Sequence, residues 1–132
     1  MIYIAGKYTS QARLREERDK LVAKGYEVSS FWLDETATEF TSNPSDASHE
    51  KMVENAERDC DEAAECDIFI LDTLDISDTG GREVEFGIAM SNGADIIRVG
   101  PVRNIFHRLI EDCYDSWEEC QASFVSDNWE SA

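Results

Sequence analysis

The sequence predicts an α/β three-layer sandwich, in which a five-stranded parallel sheet of flavodoxin-like topology and strand order 2-1-3-4-5 lies between two layers of helices. Short apolar segments alternate with longer helix-forming ones along the 132 residues, as right-handed crossover connections require. The segment DIFILDT at 67–73 is almost continuously apolar, which is typical of a central parallel strand. The length fits one domain over 1–132, and we find no repeat or linker.

The first half of the chain reads as strand, helix, strand and loop. IYIA at 2–5 is a short apolar strand that ends at a glycine turn. Residues 10–24 are rich in helix formers and are followed by Gly25, a common helix stop. YEVSSFWL at 26–33 predicts a second strand, and the turn-forming, acidic stretch at 34–47 predicts a loop.

The second half continues the alternation. Ser48 is an expected N-cap for a helix that ends at Cys66, before the central strand. A further helix is predicted over 82–92, with Gly93 as its stop. The remaining predicted elements are a strand at 95–100, a helical turn at 104–110, a strand at 111–115 and a last helix opened by the capping-box pattern SWEE at 116–119.

The charge balance excludes one class of partner. Twenty-nine acidic against 12 basic side chains give a net charge of −17, which repels polymeric nucleic acid. A small nucleotide needs only a local pocket of N–H groups and one or two cations, so the acidic net charge does not exclude it as a ligand. No apolar run is long enough for a membrane span, and no leader pattern opens the chain. We therefore expect a soluble, cytoplasmic protein without a membrane partner.

The cysteines do not form a metal-binding or disulfide pattern. They lie at 60, 66, 113 and 120 with no C-x-x-C spacing, and the two histidines are far apart in sequence. We expect reduced thiols and no bound metal.

The predicted ligand site lies where the strand order reverses, beyond the carboxyl ends of the strands. The loops that border it are GKYTS at 6–10 and LDISDTGG at 74–81. Neither has the spacing of a Walker loop or of the dinucleotide fingerprint. Lys7, Thr9 and Ser10 suit a contact to one phosphate or a sugar hydroxyl, but the same residues also fit an ordinary capped turn.

The stretch TGGREVEFG at 79–87 joins a glycine loop to a helix that carries two carboxylates. Glu83 and Glu85 are two residues apart, so they point about 200° away from each other and only one can face the crevice. A carboxylate in a first helical turn is also favoured by the helix dipole alone. The pattern by itself therefore leaves catalysis and helix capping both open.

Three segments of the chain resemble the nucleoside 2-deoxyribosyltransferase family, which includes hydrolases of deoxynucleoside 5′-monophosphates and phage-encoded homologues. The segments are IYIAGKYTSQARLREERDKLVAKGYEVSSFWLDE, RDCDEAAECDIFILD and TGGREVEFGIAMSNG. The resemblance extends to about Trp117 and implies the fold described above.

The resemblance also implies roles for individual residues. Glu85, in VEFG, matches the family's nucleophile, and Asp59 matches an aspartate that serves substrate binding and proton transfer. Thr79 stands where the family carries Asp or Ser, and Lys7 stands where the hydrolase branch has a phosphate-binding serine. The expected substrate contacts are Gly6, Lys7, Tyr8, Thr79, Gly80, Gly81 and Arg82, with Lys7 and Arg82 on an anionic group.

The implied chemistry is cleavage or transfer at the N-glycosidic bond of a (deoxy)nucleoside or nucleoside 5′-monophosphate, through a glycosyl ester on Glu85. It needs no cofactor. Two alternatives stay open: an NAD-type glycohydrolase, and a non-catalytic protein that sequesters a nucleotide.

Two further expectations concern apolar side chains. Met52, Val53, Phe86 and Met90, on the helices that flank 67–73, exceed what one sheet face needs, and predict a homo-oligomer. Phe31, Trp32 and Phe86 are candidates for stacking on a base, although filling the core is the favoured interpretation.

Overall fold

The computed structural model describes residues 1–35, 49–77 and 79–125. The strands are β1 (Ile2–Ala5), β2 (Ile68–Asp72), β3 (Asp95–Val99) and β4 (Asp112–Tyr114). The helices are α1 (Gln11–Ala23), α2 (His49–Glu65), α3 (Gly81–Ser91) and α4 (Trp117–Ala122), with 3-10 turns at Tyr8–Ser10, Phe31–Asp34 and Ile105–Leu109. The expected N-cap Ser48 and most of the expected loop at 34–47 lie outside the described residues.

The sheet has four parallel strands in the order β1-β2-β3-β4, one fewer than the sequence predicts. The difference lies in the segment at 26–33. It contributes a single parallel bridge, between Val28 and Ile2, and then enters the 3-10 turn at Phe31–Asp34 instead of continuing as a strand.

Side chains take the place of the missing strand along the outer edge of β1. The backbone of Ile2 bonds to Glu27 and Ser29, as a paired strand would. Two residues further on, Ser30 Oγ accepts from the Ile4 N–H at 2.6 Å, and Trp32 Nε1 donates to the Ile4 carbonyl at 2.7 Å. Both backbone groups of the buried Ile4 are satisfied in this way, without a strand on the outer side of β1.

Helices cover both faces of the sheet: α1 contacts α4, and α2 contacts α3. α4 begins as the capping-box pattern predicts, since the Ser116 side chain accepts from the Glu119 N–H. Phe86, one of the side chains expected at an oligomer interface or on a base, is 4% exposed and stacks on Phe69. Phe86 is therefore part of the core. No helix within the described ranges is long and apolar enough to span a bilayer.

Candidate active site

A cavity of about 250 Å³ opens at the carboxyl ends of β1 and β2, between the two predicted crevice loops and α2. Seven of the predicted site residues line it: Gly6, Tyr8, Asp59, Thr79, Gly81, Arg82 and Glu85. Its other lining residues are Trp32, Ala56, Cys60 and Val84. Lys7 and Gly80 are not among the lining residues. A wider groove of about 570 Å³, bordered by β3 and β4, holds none of the predicted site residues.

Glu85 is hydrogen-bonded to a side chain of the sheet. It lies on the second turn of α3, and the hydroxyl of Tyr3 on β1 donates to both of its carboxylate oxygens, at 3.0 and 3.1 Å. Burial, and then the charge of Asp59, raise the pKa of Glu85 to about 8, while the Tyr3 hydrogen bond opposes this rise.

Asp59 reaches the cavity from α2. Its Oδ1 is buried and has no hydrogen-bond partner among the residues that the structure describes. Burial, and then the charge of Glu35, raise the pKa of Asp59 to about 7, with Arg58 acting in the opposite direction. Near neutral pH the Asp59 and Glu85 pair can therefore hold one proton and one negative charge between them. The higher pKa of Glu85 favours the proton on Glu85 in the ligand-free protein, so nucleophilic attack by Glu85 with acid catalysis by Asp59 requires that proton to move to Asp59.

The start of α3 borders the cavity through Gly81 and Arg82. Gly80 has a φ of 80°, a left-handed conformation that favours glycine, and it places Gly81 at the first position of the helix. No side-chain cap satisfies the first turn from Gly80, since glycine has no side chain. Thr79 is exposed beside it, and its Oγ1 lies 3.3 Å from Ser77 Oγ. Such a helix start suits an anionic or sugar oxygen.

Glu83 points away from the cavity, as the spacing of the two glutamates requires. Its carboxylate lies 2.8 Å from Nε2 of His107, which is fully buried. Because Nδ1 of His107 accepts from the Arg103 N–H, Nε2 is the nitrogen that carries the proton and donates to Glu83. Sequence reasoning had no signal for this contact, which joins residues 24 positions apart.

Arg82 and Lys7, the two cations expected to bind an anion, have different surroundings. The Arg82 side chain is buried, and its Nη1 donates to the carbonyls of Asp72 and Asp75, at 3.1 and 2.7 Å. Arg82 thus braces the loop after β2 at the same time as it lines the cavity. Lys7 lies half-buried at the start of the Tyr8–Ser10 turn, outside the cavity lining.

Salt bridges that the sequence did not suggest tie α1 to the end of β2 and to the loop that follows it. Arg13 on α1 binds Asp72 through Nη1 at 2.9 Å and Asp75 through Nη2 at 2.9 Å. Asp75 also accepts from Ser10 Oγ at 2.5 Å, so this hydroxyl is engaged within the protein and not poised for a phosphate. Trp117 Nε1 donates to the fully buried Asp72 carboxylate at 2.6 Å.

Two aromatic side chains, Tyr8 and Trp32, line the cavity. Trp32 is fixed by its bond to the Ile4 carbonyl, and the Tyr8 ring lies 6.4 Å from it, centroid to centroid. Phe31, in contrast, is about half exposed and lies outside the cavity lining. Within the described ranges, no three His, Cys, Asp or Glu side chains are arranged to hold a metal ion.

No protein-family model matches the chain, and no curated protein sequence matches it. Among solved structures, the chain is similar to a CMP N-glycosidase from Clostridium botulinum, BcmB. The TM-score is 0.58 at 22% sequence identity, over 92% of this chain and 95% of that one. The comparison shows that the two chains share a fold, in agreement with the α/β fold that the sequence resemblance implied.

Proposed function

We propose that this protein cleaves the N-glycosidic bond of a nucleoside 5′-monophosphate or nucleoside, with Glu85 as nucleophile and Asp59 as proton donor. The observation that carries this proposal is the pairing, in one cavity, of two carboxyl groups with raised pKa values. One of them is oriented by Tyr3, and the other has a buried oxygen without a partner among the described residues. The similarity to a CMP N-glycosidase supports the same chemistry.

In the first half-reaction, the ionised Glu85 carboxylate attacks C1′ of the sugar. The C1′–N bond breaks, its electron pair leaves with the base, and the base takes up the Asp59 proton. In the second half-reaction, water attacks C1′ of the glycosyl ester and gives a proton to Asp59. The bond between C1′ and the Glu85 oxygen breaks, and the Glu85 carboxylate is released. A second base in place of water would give transfer, and both outcomes retain the configuration at C1′.

The surroundings of the carboxyl pair suggest how the substrate lies. Tyr8 and Trp32 offer a flat wall to a base. Thr79 and the N–H groups at the start of α3 suit the sugar or its 5′-phosphate, with Lys7 as the nearby cation. A cavity of about 250 Å³ is smaller than the range of about 300–1,000 Å³ that is typical of ligand pockets, which favours one nucleoside unit over a dinucleotide such as NAD.

The test is incubation of the protein with nucleosides, nucleoside 5′-monophosphates and NAD, followed by chromatography of the products. We expect release of free base from a nucleoside or monophosphate, with a second base as added acceptor separating transfer from hydrolysis. Mass spectrometry of the acid-quenched reaction should find a sugar attached to the peptide that contains Glu85. Binding of a nucleotide without release of base would favour sequestration, and release of nicotinamide from NAD alone would favour the NAD-type glycohydrolase.

A further inference from the structure

Arg58 is a cation set among carboxyl groups beside the cavity. It precedes Asp59 on α2, and its charge acts on Asp59 together with the charges of Glu35 and Glu62. A guanidinium this close to a carboxyl group ordinarily pairs with it and keeps it ionised. The direction in which the Arg58 side chain extends is therefore decisive for any reaction in which Asp59 delivers a proton.

The Arg58 guanidinium is directed to Glu35, with which Nη2 forms a short ion pair, and to Asn55 Oδ1 at 3.1 Å. Its central carbon lies 3.8 Å from the centroid of the Phe31 ring. The Glu35 side chain is only 1% exposed, so it needs this cationic partner. Arg58 forms no ion pair with Asp59, whose Oδ1 has no partner in the described part of the chain.

We propose that Glu35 is a positioning residue for Asp59: it binds the Arg58 guanidinium and keeps it from pairing with Asp59, which thus stays able to hold and deliver a proton. Glu35 does not line the cavity; it acts on Asp59 by holding Arg58 and through its own charge. The inference deepens the proposed function and rests on it, since the proton that Asp59 holds is the one the departing base takes.

Opposed charges act on Asp59 from the elements packed around it. Burial raises its pKa to about 7, the charge of Glu35 adds to this rise, and the charge of Arg58 opposes it. The other titratable groups around Asp59 are Glu62 on α2, Glu85 on α3 and the Tyr3 hydroxyl on β1. Without the Glu35 carboxylate, only burial and the weaker effect of the Glu62 charge would oppose the Arg58 charge, and the pKa of Asp59 would fall.

The test is a titration of the Asp59 side-chain carboxyl by ¹³C NMR in the ligand-free protein. In E35Q we expect the midpoint to fall by about 1 pH unit or more. In E35Q/R58Q, which removes both charges, we expect a midpoint close to that of the parent. E17Q is the matched control, because Glu17 is also buried and ion-paired, to Lys20, but lies on α1 outside the cavity lining.

An unchanged midpoint in folded E35Q would overturn the inference, and so would a double variant that titrates like E35Q. Should E35Q not fold, R58Q decides, since loss of the cation must raise the Asp59 midpoint. An R58Q midpoint equal to that of the parent would also overturn the inference.

This titration needs no turnover, so its outcome is separate from that of the proposed reaction. A parent protein that releases no base refutes the reaction, whereas the NMR midpoints still decide the role of Glu35. In an active enzyme, E35Q should move the alkaline limb of the kcat/KM profile down by the same interval, with about a tenfold loss at pH 8. E17Q should leave that limb where it is.

Discussion

At the scale of single residues, the molecule places two carboxyl groups in one cavity, where the charge of Asp59 makes Glu85 harder to ionise. Burial is the main cause of the raised pKa values of Glu85 and Asp59, and the charges of neighbouring carboxylates add to it. A site arranged only for stability would neutralise such groups with cations or fill the space with apolar side chains. The arrangement here instead gives Glu85 a single hydroxyl donor, Tyr3, within the described part of the chain.

The first prediction concerns the nucleophile. Glu85→Gln keeps the size of the side chain but removes the charge that attacks C1′, so turnover should fall by at least about 10³-fold while nucleotide binding persists. The rate of base release, quantified by chromatography, measures this loss of turnover, and calorimetry measures nucleotide binding.

Glu83→Gln is the control for this substitution. A glutamine at that position can still accept from His107 Nε2, so the fold and the activity should both be kept. Full activity in folded Glu85→Gln would show that the nucleophile is another group.

The second prediction concerns Tyr3, whose hydroxyl stabilises the ionised form of Glu85. Tyr3→Phe keeps the ring stacked on Phe69 but removes this donor, so the pKa of Glu85 should rise further. Since Glu85 must be ionised to attack, activity is gained as the pH increases through its pKa. The acidic limb of the kcat/KM profile should thus move up by about 1 pH unit. A limb that does not move in Tyr3→Phe would mean that the hydroxyl leaves the nucleophile untouched.

At the scale of elements, the site depends on how the loop after β2 is held. Arg13 and Ser10 bind this loop from the β1 side, Arg82 binds its carbonyls from α3, and Arg103 donates to the carbonyls of Thr73 and Leu74 from the loop after β3. Each of these three segments therefore sends at least one side chain into the same short loop. This bracing fixes the start of α3, and with it Glu85.

The third prediction tests this packing with a pair of glycines. Gly100 has a φ of 120°, and a Cβ there would lie 2.6 Å from Thr73 Oγ1 and 2.7 Å from the Leu74 nitrogen. Gly93 has a φ of 84°, and a Cβ there would have no neighbour among the described residues within 4 Å. Both alanine substitutions carry the left-handed strain of about 1–2 kcal/mol, but Gly100→Ala should cost about 1–3 kcal/mol more, because the loop after β2 must shift.

Urea unfolding of both variants measures this difference. Gly100→Ala should also reduce kcat, whereas Gly93→Ala should not. Equal losses of unfolding free energy would show that the loop yields without cost.

At the scale of the whole molecule, a strongly acidic surface coexists with exposed apolar side chains. The net charge is −17. Val53 on α2, Val84 on α3 and, in the 3-10 turn before β4, Ile105, Phe106 and Leu109 are all exposed. Of the side chains first expected at an interface, Val53 is exposed, Met52 and Met90 are half-buried, and Phe86 belongs to the core.

The fourth prediction is therefore a homo-oligomer, in which these apolar side chains are covered. Light scattering at micromolar protein should give at least twice the chain mass of 14.9 kDa. High salt should favour the association, since it screens the repulsion between acidic subunits. A single-chain mass across this range, at both low and high salt, would rule out such an assembly.

Local signals in the sequence were sufficient for the order and the approximate bounds of the helices and of the four observed strands. The periodicity of apolar residues, short apolar runs and capping residues are signals that extend over only a few positions. The segments IYIA, DIFILDT and SWEE therefore identify their elements without reference to the rest of the chain. The opposite orientation of Glu83 and Glu85 follows from the helical repeat alone, and so does the choice of the crevice once the strand alternation is known.

Contacts between distant segments account for what the sequence could not predict. Residues 26–33 have a strand-like composition, but Ser30 and Trp32 satisfy the edge of β1 with side chains, which ends the strand after one bridge. Likewise, Arg82 looks like a ligand-binding cation in the sequence, and only the fold brings the carbonyls of Asp72 and Asp75 within its reach. The raised pKa values of Asp59 and Glu85 have the same origin, because burial and the approach of α2 to α3 are properties of the folded chain and of no segment within it.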